Sequence, residues 1–344
     1  MNCLISASTR IENLLSWAVG KGKQVWHFTG REPDRDRGLS QMARGAAGYL
    51  SLTIRYFHNN LKKETLLNHI EGSFKGVRNA NIYYQAWLPE GNVKAVLLVV
   101  HGLGEHCGRY MNVVNHFVRL GYAVYGLDHI GHGKSEGRRA FVERFEDYTN
   151  TLTIYYNMVQ GWQTGKPVFL LGHSMGGLIT SCYLLDHQAT FRGAVISAPS
   201  IKVSDDISQA TIIMGKILSV LTPKAGLLTL VDANGISRDP EVVTAYVNDP
   251  LVFHGKTSAR LAAELLKTVL RVTAEAAKIT LPFIVLQGSE DKLVDPGGAQ
   301  MLYDKASSKD KTIKIYKGLY HEVFNEPERA RVLKDVETWL AAKV

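Results

Sequence analysis

The 344-residue chain is predicted to be one large α/β unit: a mostly parallel central sheet with helices on both faces, a helical cap insertion and an N-terminal extension. Three observations predict it. Unbroken apolar runs, such as residues 95–100 and 168–171, alternate with helical patterns, and such runs suit strands buried on both faces of a parallel sheet. The sequence Gly172-His173-Ser174-Met175-Gly176 joins one of these runs directly to a helical pattern. An apolar segment on helical spacing, within residues 201–257, then interrupts the alternation.

The elements follow in order. Residues 71–77 and 81–88 read as early strands joined at Arg78-Asn79-Ala80, and residues 95–100 form a wholly apolar strand that runs into His101-Gly102-Leu103-Gly104-Glu105-His106. A helix over 109–120 stops at Gly121, where the chain can turn into a strand over 123–127. A helix over 145–162, a strand over 168–171, a helix over 177–186 and a strand over 193–197 continue the pattern. After the insertion come a long helix over 258–278, strands over 283–287 and 312–316, and helices over 298–306 and 328–342. The core is therefore expected over 70–200 and 258–344, with residues 201–257 between them. In that insertion Ile212, Ile213, Leu218 and Leu221 share a helical spacing, with Met214 and Val220 beside them. An apolar insertion at the rim of the sheet, where α/β sites form, is read as a cap; the alternative is ordinary helical packing.

Residues 1–69 differ from the rest. Residues 11–28 and 39–61 have helix-compatible apolar spacing and flank a charged Pro/Gly linker over 31–38. Residues 1–70 hold ten Lys or Arg against five Asp or Glu, so most of the net charge of +8 lies in the first fifth of the chain. Trp17, Trp26 and Phe28 among these basic residues fit an interfacial membrane anchor, or the two helices pack on the main domain. No stacking platform accompanies the charge, which argues against nucleic acid as a partner.

Hydrophobic residues make up 45% and charged residues 21%, a balance that excludes a disordered chain. No apolar run reaches the roughly 18 residues of a membrane-spanning helix. No signal peptide is read, because Arg10 follows rather than precedes the short apolar stretch at 4–7. With scattered Cys3, Cys107 and Cys182, the expected location is cytoplasmic, with peripheral membrane association.

The chemistry centres on Ser174. A G-x-S-x-G sequence between strand and helix is a nucleophile elbow, so sharp that Gly172 and Gly176 are needed to avoid clashes. The turn exposes the serine hydroxyl and leaves the Met175 amide free at a helix start, where an oxyanion can use it. The second oxyanion donor belongs in the loop after an early strand, and the Leu103 amide, between two glycines, is the candidate. A serine needs a base and the base an orienting acid, in chain order Ser, Asp/Glu, His. His321 follows the last strand and is the base by position. Asp291 follows the strand over 283–287 and is the acid, with Glu290 and Asp295 as neighbours able to substitute. Glu105 and Arg109, just past the oxyanion loop, either shape the polar end of a substrate site or pair with each other.

Three other patterns break down. Gly133-Lys134-Ser135 echoes a phosphate loop, but Asp128 stands where the first glycine belongs. Gly102-Leu103-Gly104 has Cys107 in place of a third glycine, and His321-Glu322 has Asn325 where a second zinc-binding histidine would stand. No cofactor and no metal are expected.

These segments together resemble the monoacylglycerol lipase family of α/β-hydrolases, which overlaps enzymes labelled lysophospholipases: His101 to His106 with Arg109-Tyr110, then residues 128–137, 172–177 and 287–291, then Tyr320-His321. The resemblance runs from about residue 70 to the C-terminus, in matching order and spacing. It implies Ser174 as nucleophile, Asp291 as acid, His321 as base, and the Leu103 and Met175 amides as oxyanion hole. It also implies that residues 201–257 are a lid that touches membrane and admits one acyl chain, with Tyr246 near its end as a further substrate contact. The sequence departs from the mammalian members at Val294, where they carry cysteine, and at Phe324, where they carry a second histidine. The expected reaction is hydrolysis of a lipid ester, a monoacylglycerol, to fatty acid and glycerol. A carboxylesterase or lysophospholipase with the same residues is the alternative. A binding protein on a hydrolase scaffold would need none of the three side chains.

Overall fold

A computed structural model describes residues 68–203, 209–229 and 231–344. The helical and membrane-anchoring character expected of residues 1–69 lies outside the described residues, apart from the last two positions, which already belong to a strand. In chain order the strands are β1 (Asn68–Lys75), β2 (Asn81–Leu88), β3 (Ala95–Val100), β4 (Tyr122–Leu127), β5 (Val168–His173), β6 (Gly193–Ser197), β7 (Gly226–Leu228), β8 (Thr257–Ser258), β9 (Phe283–Gly288) and β10 (Lys311–Tyr316). The helices are α1 (Met111–Val118), α2 (Glu146–Trp162), α3 (Met175–His187), α4 (Gln209–Leu221), α5 (Pro240–Asn248), α6 (Ala259–Glu275), α7 (Gly297–Lys305) and α8 (Arg329–Ala341).

The central sheet has eight strands in the order β1-β2-β4-β3-β5-β6-β9-β10. The β1–β2 and β2–β4 pairs are antiparallel, and every later pair is parallel. The apolar runs have a direct cause. In β3, Val96, Leu98 and Val100 enter one core with Leu152 of α2, Leu170 of β5 and Leu178 of α3. Leu97 and Val99 enter the opposite core with Phe117 of α1, Phe169 of β5 and Trp339 of α8. A strand covered on both faces has no side left for polar residues.

The order of pairing places the site. From β3 the chain moves to β4 on one side, then returns to β5 on the other, and ligands of open α/β sheets bind at such a switch point. Val100 pairs with Gly172, His173 with Ser197 and Tyr316 with Gly288, so the loops after β3, β5, β6, β9 and β10 leave from one edge.

Between β6 and α6 the chain leaves the central sheet. α4 turns Ile213, Met214, Ile217, Val220 and Leu221 outward, with Val220 69% and Leu221 73% exposed. β7 and β8 form a short antiparallel ribbon that the sequence reading did not anticipate. It also missed α5, whose start is marked by Asp239, which accepts from the Glu241 amide, and by Pro240 in the first turn. The segment after α5 is tied to the core: the Phe253 amide donates to the Gly104 carbonyl at 2.7 Å, and His106 Nε2 lies 2.9 Å from Asp249 Oδ2.

Candidate active site

Ser174 stands between β5 and α3 with φ 56° and ψ −119°, a conformation that L-residues adopt only under constraint. The constraint is visible. The Ser174 amide donates to the Ser197 carbonyl, and the Ser174 carbonyl accepts from Leu178 and Ser200 amides. A Cβ on Gly172 would lie 2.3 Å from Thr180 Oγ1 and 2.4 Å from the Gly176 carbonyl oxygen, and one on Gly176 would lie 1.9 Å from the Val100 carbonyl oxygen. Both glycines are thus steric requirements of the turn, as the sequence argument holds. Met175 opens α3, and neither its amide nor that of Leu103 donates to a protein acceptor among the described residues.

The loop after β3 is held from two sides. His101 Nε2 accepts from the His129 amide at 2.9 Å, so the ring proton sits on Nδ1, which donates to the Gly102 carbonyl at 2.7 Å. The Gly102 amide donates to Glu105 Oε1 at 2.7 Å. Because a trans peptide fixes N–H opposite C=O, holding the Gly102 carbonyl also aims the Leu103 amide.

His321 Nδ1 lies 2.8 Å from Asp291 Oδ2, which also accepts from Gln287 Nε2 at 2.8 Å. Asp291 Oδ1 accepts from the Leu293 and Val294 amides at 2.9 and 3.1 Å. Burial raises the Asp291 carboxyl, but the His321 ring and these amides outweigh it and hold the group below the usual carboxylate range. Of the acids left open by the sequence, Glu290 is exposed and Asp295 pairs with Lys202 at 2.6 Å; Asp291 is the one that meets His321.

A cavity of about 20 Å³, room for roughly one water, brings Ser174, His321, His173 and Leu103 together with Val231, Ile236 and Tyr246 of the insertion. The Ser174 hydroxyl makes no hydrogen bond among the described residues. His173, which the sequence reading left without a role, lies tilted against His321 with 4.7 Å between ring centroids. Burial, reinforced by His321, pushes His173 down to about 3, so it is neutral at physiological pH.

Glu105 and Arg109 also border this cavity, and they do pair, at 2.7 Å. Arg109 has a second partner that sequence reasoning missed: its Nη1 and Nη2 donate to Glu322 Oε1 and Oε2 at 2.6 and 2.8 Å. The guanidinium lies over the Tyr246 ring, 4.6 Å from its centroid. A larger groove of about 660 Å³ lies elsewhere, among charged residues such as Arg78, Asp147 and Lys267, and is lined by no serine, threonine or cysteine. Among the described residues no group of three or more His, Cys, Asp or Glu is arranged to hold a metal ion, and no helix is long and apolar enough to cross a membrane.

Comparison with known proteins adds independent findings. Residues 91–328 match a hydrolase family model described as Serine aminopeptidase, S33. The chain is 38% identical over 272 residues to a monoacylglycerol lipase of Mycolicibacterium smegmatis, covering 79% of this chain and 97% of that protein. It is 37% identical to a monoglyceride lipase of Rattus norvegicus, covering 76% of this chain and 88% of that protein. The crystal structure of a Paleococcus ferrophilus monoacylglycerol lipase matches with a TM-score of 0.68 and 30% identity, covering 81% of this chain and all of that one.

Proposed function

We propose that this chain, which belongs to the hydrolase family described as Serine aminopeptidase, S33, and is a carboxylic ester hydrolase, cleaves monoacylglycerols to fatty acid and glycerol. The observation that carries the assignment of residues is a convergence on one cavity: Ser174, His321 held by Asp291, and an uncommitted Leu103 amide.

In the proposed reaction, His321 Nε2 takes the Ser174 proton as the hydroxyl oxygen attacks the ester carbonyl. Asp291 keeps the other ring proton on Nδ1 and stabilises the imidazolium. The tetrahedral oxyanion accepts from the Leu103 and Met175 amides, each such donor being worth about 3 kcal/mol of barrier. His321 then protonates the departing glycerol oxygen, and water repeats the sequence on the acyl-enzyme. The hydroxyl that is unbonded here engages His321 once an ester fills the cavity, since catalytic hydrogen bonds commonly tighten on binding.

Residues 201–257 act, on this reading, as a cap over the acyl chain, each buried methylene contributing about 0.8 kcal/mol. The outward apolar face of α4 supports peripheral contact with a lipid surface, where such substrates reside.

The test is hydrolysis of 1-monoacylglycerols of increasing chain length beside short p-nitrophenyl esters and a lysophospholipid. The expected profile rises with chain length and is highest for monoacylglycerols of about ten carbons or more, because transfer energy accumulates per methylene. Activity confined to short esters would make the chain a general carboxylesterase, and preference for the lysophospholipid would reassign the leaving group.

A further inference from the structure

We propose that Glu322 is a positioning residue that, through Arg109 and Glu105, holds the oxyanion loop in register with His321. The inference rests on the hydrolase reading above and concerns a residue to which neither the sequence motifs nor that reading gives a part.

The connection is continuous. Glu105 Oε1 accepts from the Gly102 amide at 2.7 Å and from the Tyr110 hydroxyl at 2.8 Å, while its Oε2 takes Arg109 Nη1 at 2.7 Å. Arg109 grips both oxygens of Glu322 in a fork, the geometry that fixes orientation as well as distance. Glu322 Oε2 also accepts from Asn325 Nδ2 at 2.8 Å, and the Glu322 amide donates to the Ile236 carbonyl at 2.7 Å. Glu322 follows His321 directly, so its backbone cannot move without moving the base. At the other end, Gly102 carries the carbonyl whose peptide partner is the Leu103 amide. Two groups that must sit about 3 Å from the same reacting centre are thereby joined by three side chains.

Stability alone does not account for this arrangement. All three side chains are at least nine-tenths buried, and buried ionic trios offset much of their own attraction by desolvation; apolar replacements of similar volume are often as stable or more so. Arg109 already has a counter-charge in Glu105. The second carboxylate adds reach, from the oxyanion loop to the base.

Glu322→Gln tests the inference in the full chain. It keeps the side-chain length, leaves Arg109 neutralised by Glu105, and removes the charged fork. The expected result, normalised to serine titrated by a fluorophosphonate, is a kcat lowered about tenfold to a hundredfold, as for small misplacements of catalytic groups. KM should stay within about twofold and the thermal midpoint should change little, since only transition-state contacts are lost. Glu105→Gln combined with Glu322→Gln should lose little more than the more damaging single change, because both break one chain. If Glu322→Gln does not fold, Arg109→Lys, which keeps the charge but cannot form the fork, carries the same expectation. Unchanged kcat, a loss that vanishes on normalisation, or fully multiplicative losses in the double variant would overturn the inference while wild-type turnover leaves the hydrolase reading intact. A wild type that neither hydrolyses esters nor reacts with the fluorophosphonate would overturn that reading and the inference with it.

Discussion

The rings of His173 and His321 lie tilted against each other yet meet different surroundings. His321 has a carboxylate at Nδ1; His173 has only the Ser197 hydroxyl, 3.2 Å from its Nδ1. A proton taken up during the proposed reaction therefore belongs on His321. Three more buried histidines lie in the loops after β3 and β4: burial pushes His101 well below its ordinary value, His129 to about 3 and His132 to about 4. Each of these four groups is neutral when folded and ordinary, near 6.5, when unfolded. The unfolded chain therefore binds more protons between about pH 6.5 and 4, and stability falls as pH falls through that window. Urea midpoints measured at pH 7.5, 6 and 5 should decline progressively, with about one proton taken up per histidine on unfolding. A flat midpoint would contradict these assignments. The depressed carboxyls of Asp291 and Glu322 have the same sign but act lower, their contribution being lost only as pH falls below about 4.

At the scale of elements, the central strands of the sheet were legible because burial on both faces leaves an unbroken apolar signature, as in β3 and β5. The elbow was legible because its two glycines are sterically forced by Thr180 and by the Val100 carbonyl. α5 was not, being short and carrying both apolar and polar residues, although its Asp239-Pro240 start is a capping signal in plain sequence. Asp291 could not be separated from Glu290 and Asp295 by spacing, since the choice is made by the Leu293 and Val294 amides that turn its carboxylate toward His321. Glu322 left no local signal at all, because its partner lies far away in sequence and ion pairs across a fold have no periodicity. α4 carries a prediction of its own. Ile213→Glu with Val220→Glu on its exposed face should lower partition onto lipid vesicles by about tenfold or more, as two apolar side chains are each worth roughly 1.5–3 kcal/mol when buried. Turnover of a short soluble ester should not change. Equal vesicle binding by variant and parent would remove α4 from the lipid contact.

For the molecule as a whole, the fold sets five loops on one edge of the sheet, and Val231, Ile236 and Tyr246 of the insertion border the cavity at Ser174. The space left above Ser174 is about 20 Å³, whereas pockets for small ligands commonly reach hundreds of cubic ångströms. On the proposed mechanism the insertion must therefore shift to admit an acyl chain. The ties that would have to yield are the Phe253 amide on the Gly104 carbonyl, the Glu322 amide on the Ile236 carbonyl and the His106–Asp249 pair. Everything in this account depends on Ser174 as the atom that is acylated. The most direct measurement is the intact mass of the full chain after exposure to a long-chain alkyl fluorophosphonate, in wild type and in Ser174→Ala, with monoacylglycerol hydrolysis followed in the same samples. The account predicts one adduct, on Ser174, with activity lost in proportion to labelling, and neither adduct nor hydrolysis in the variant. An adduct on another residue, or hydrolysis that survives in Ser174→Ala, would contradict it.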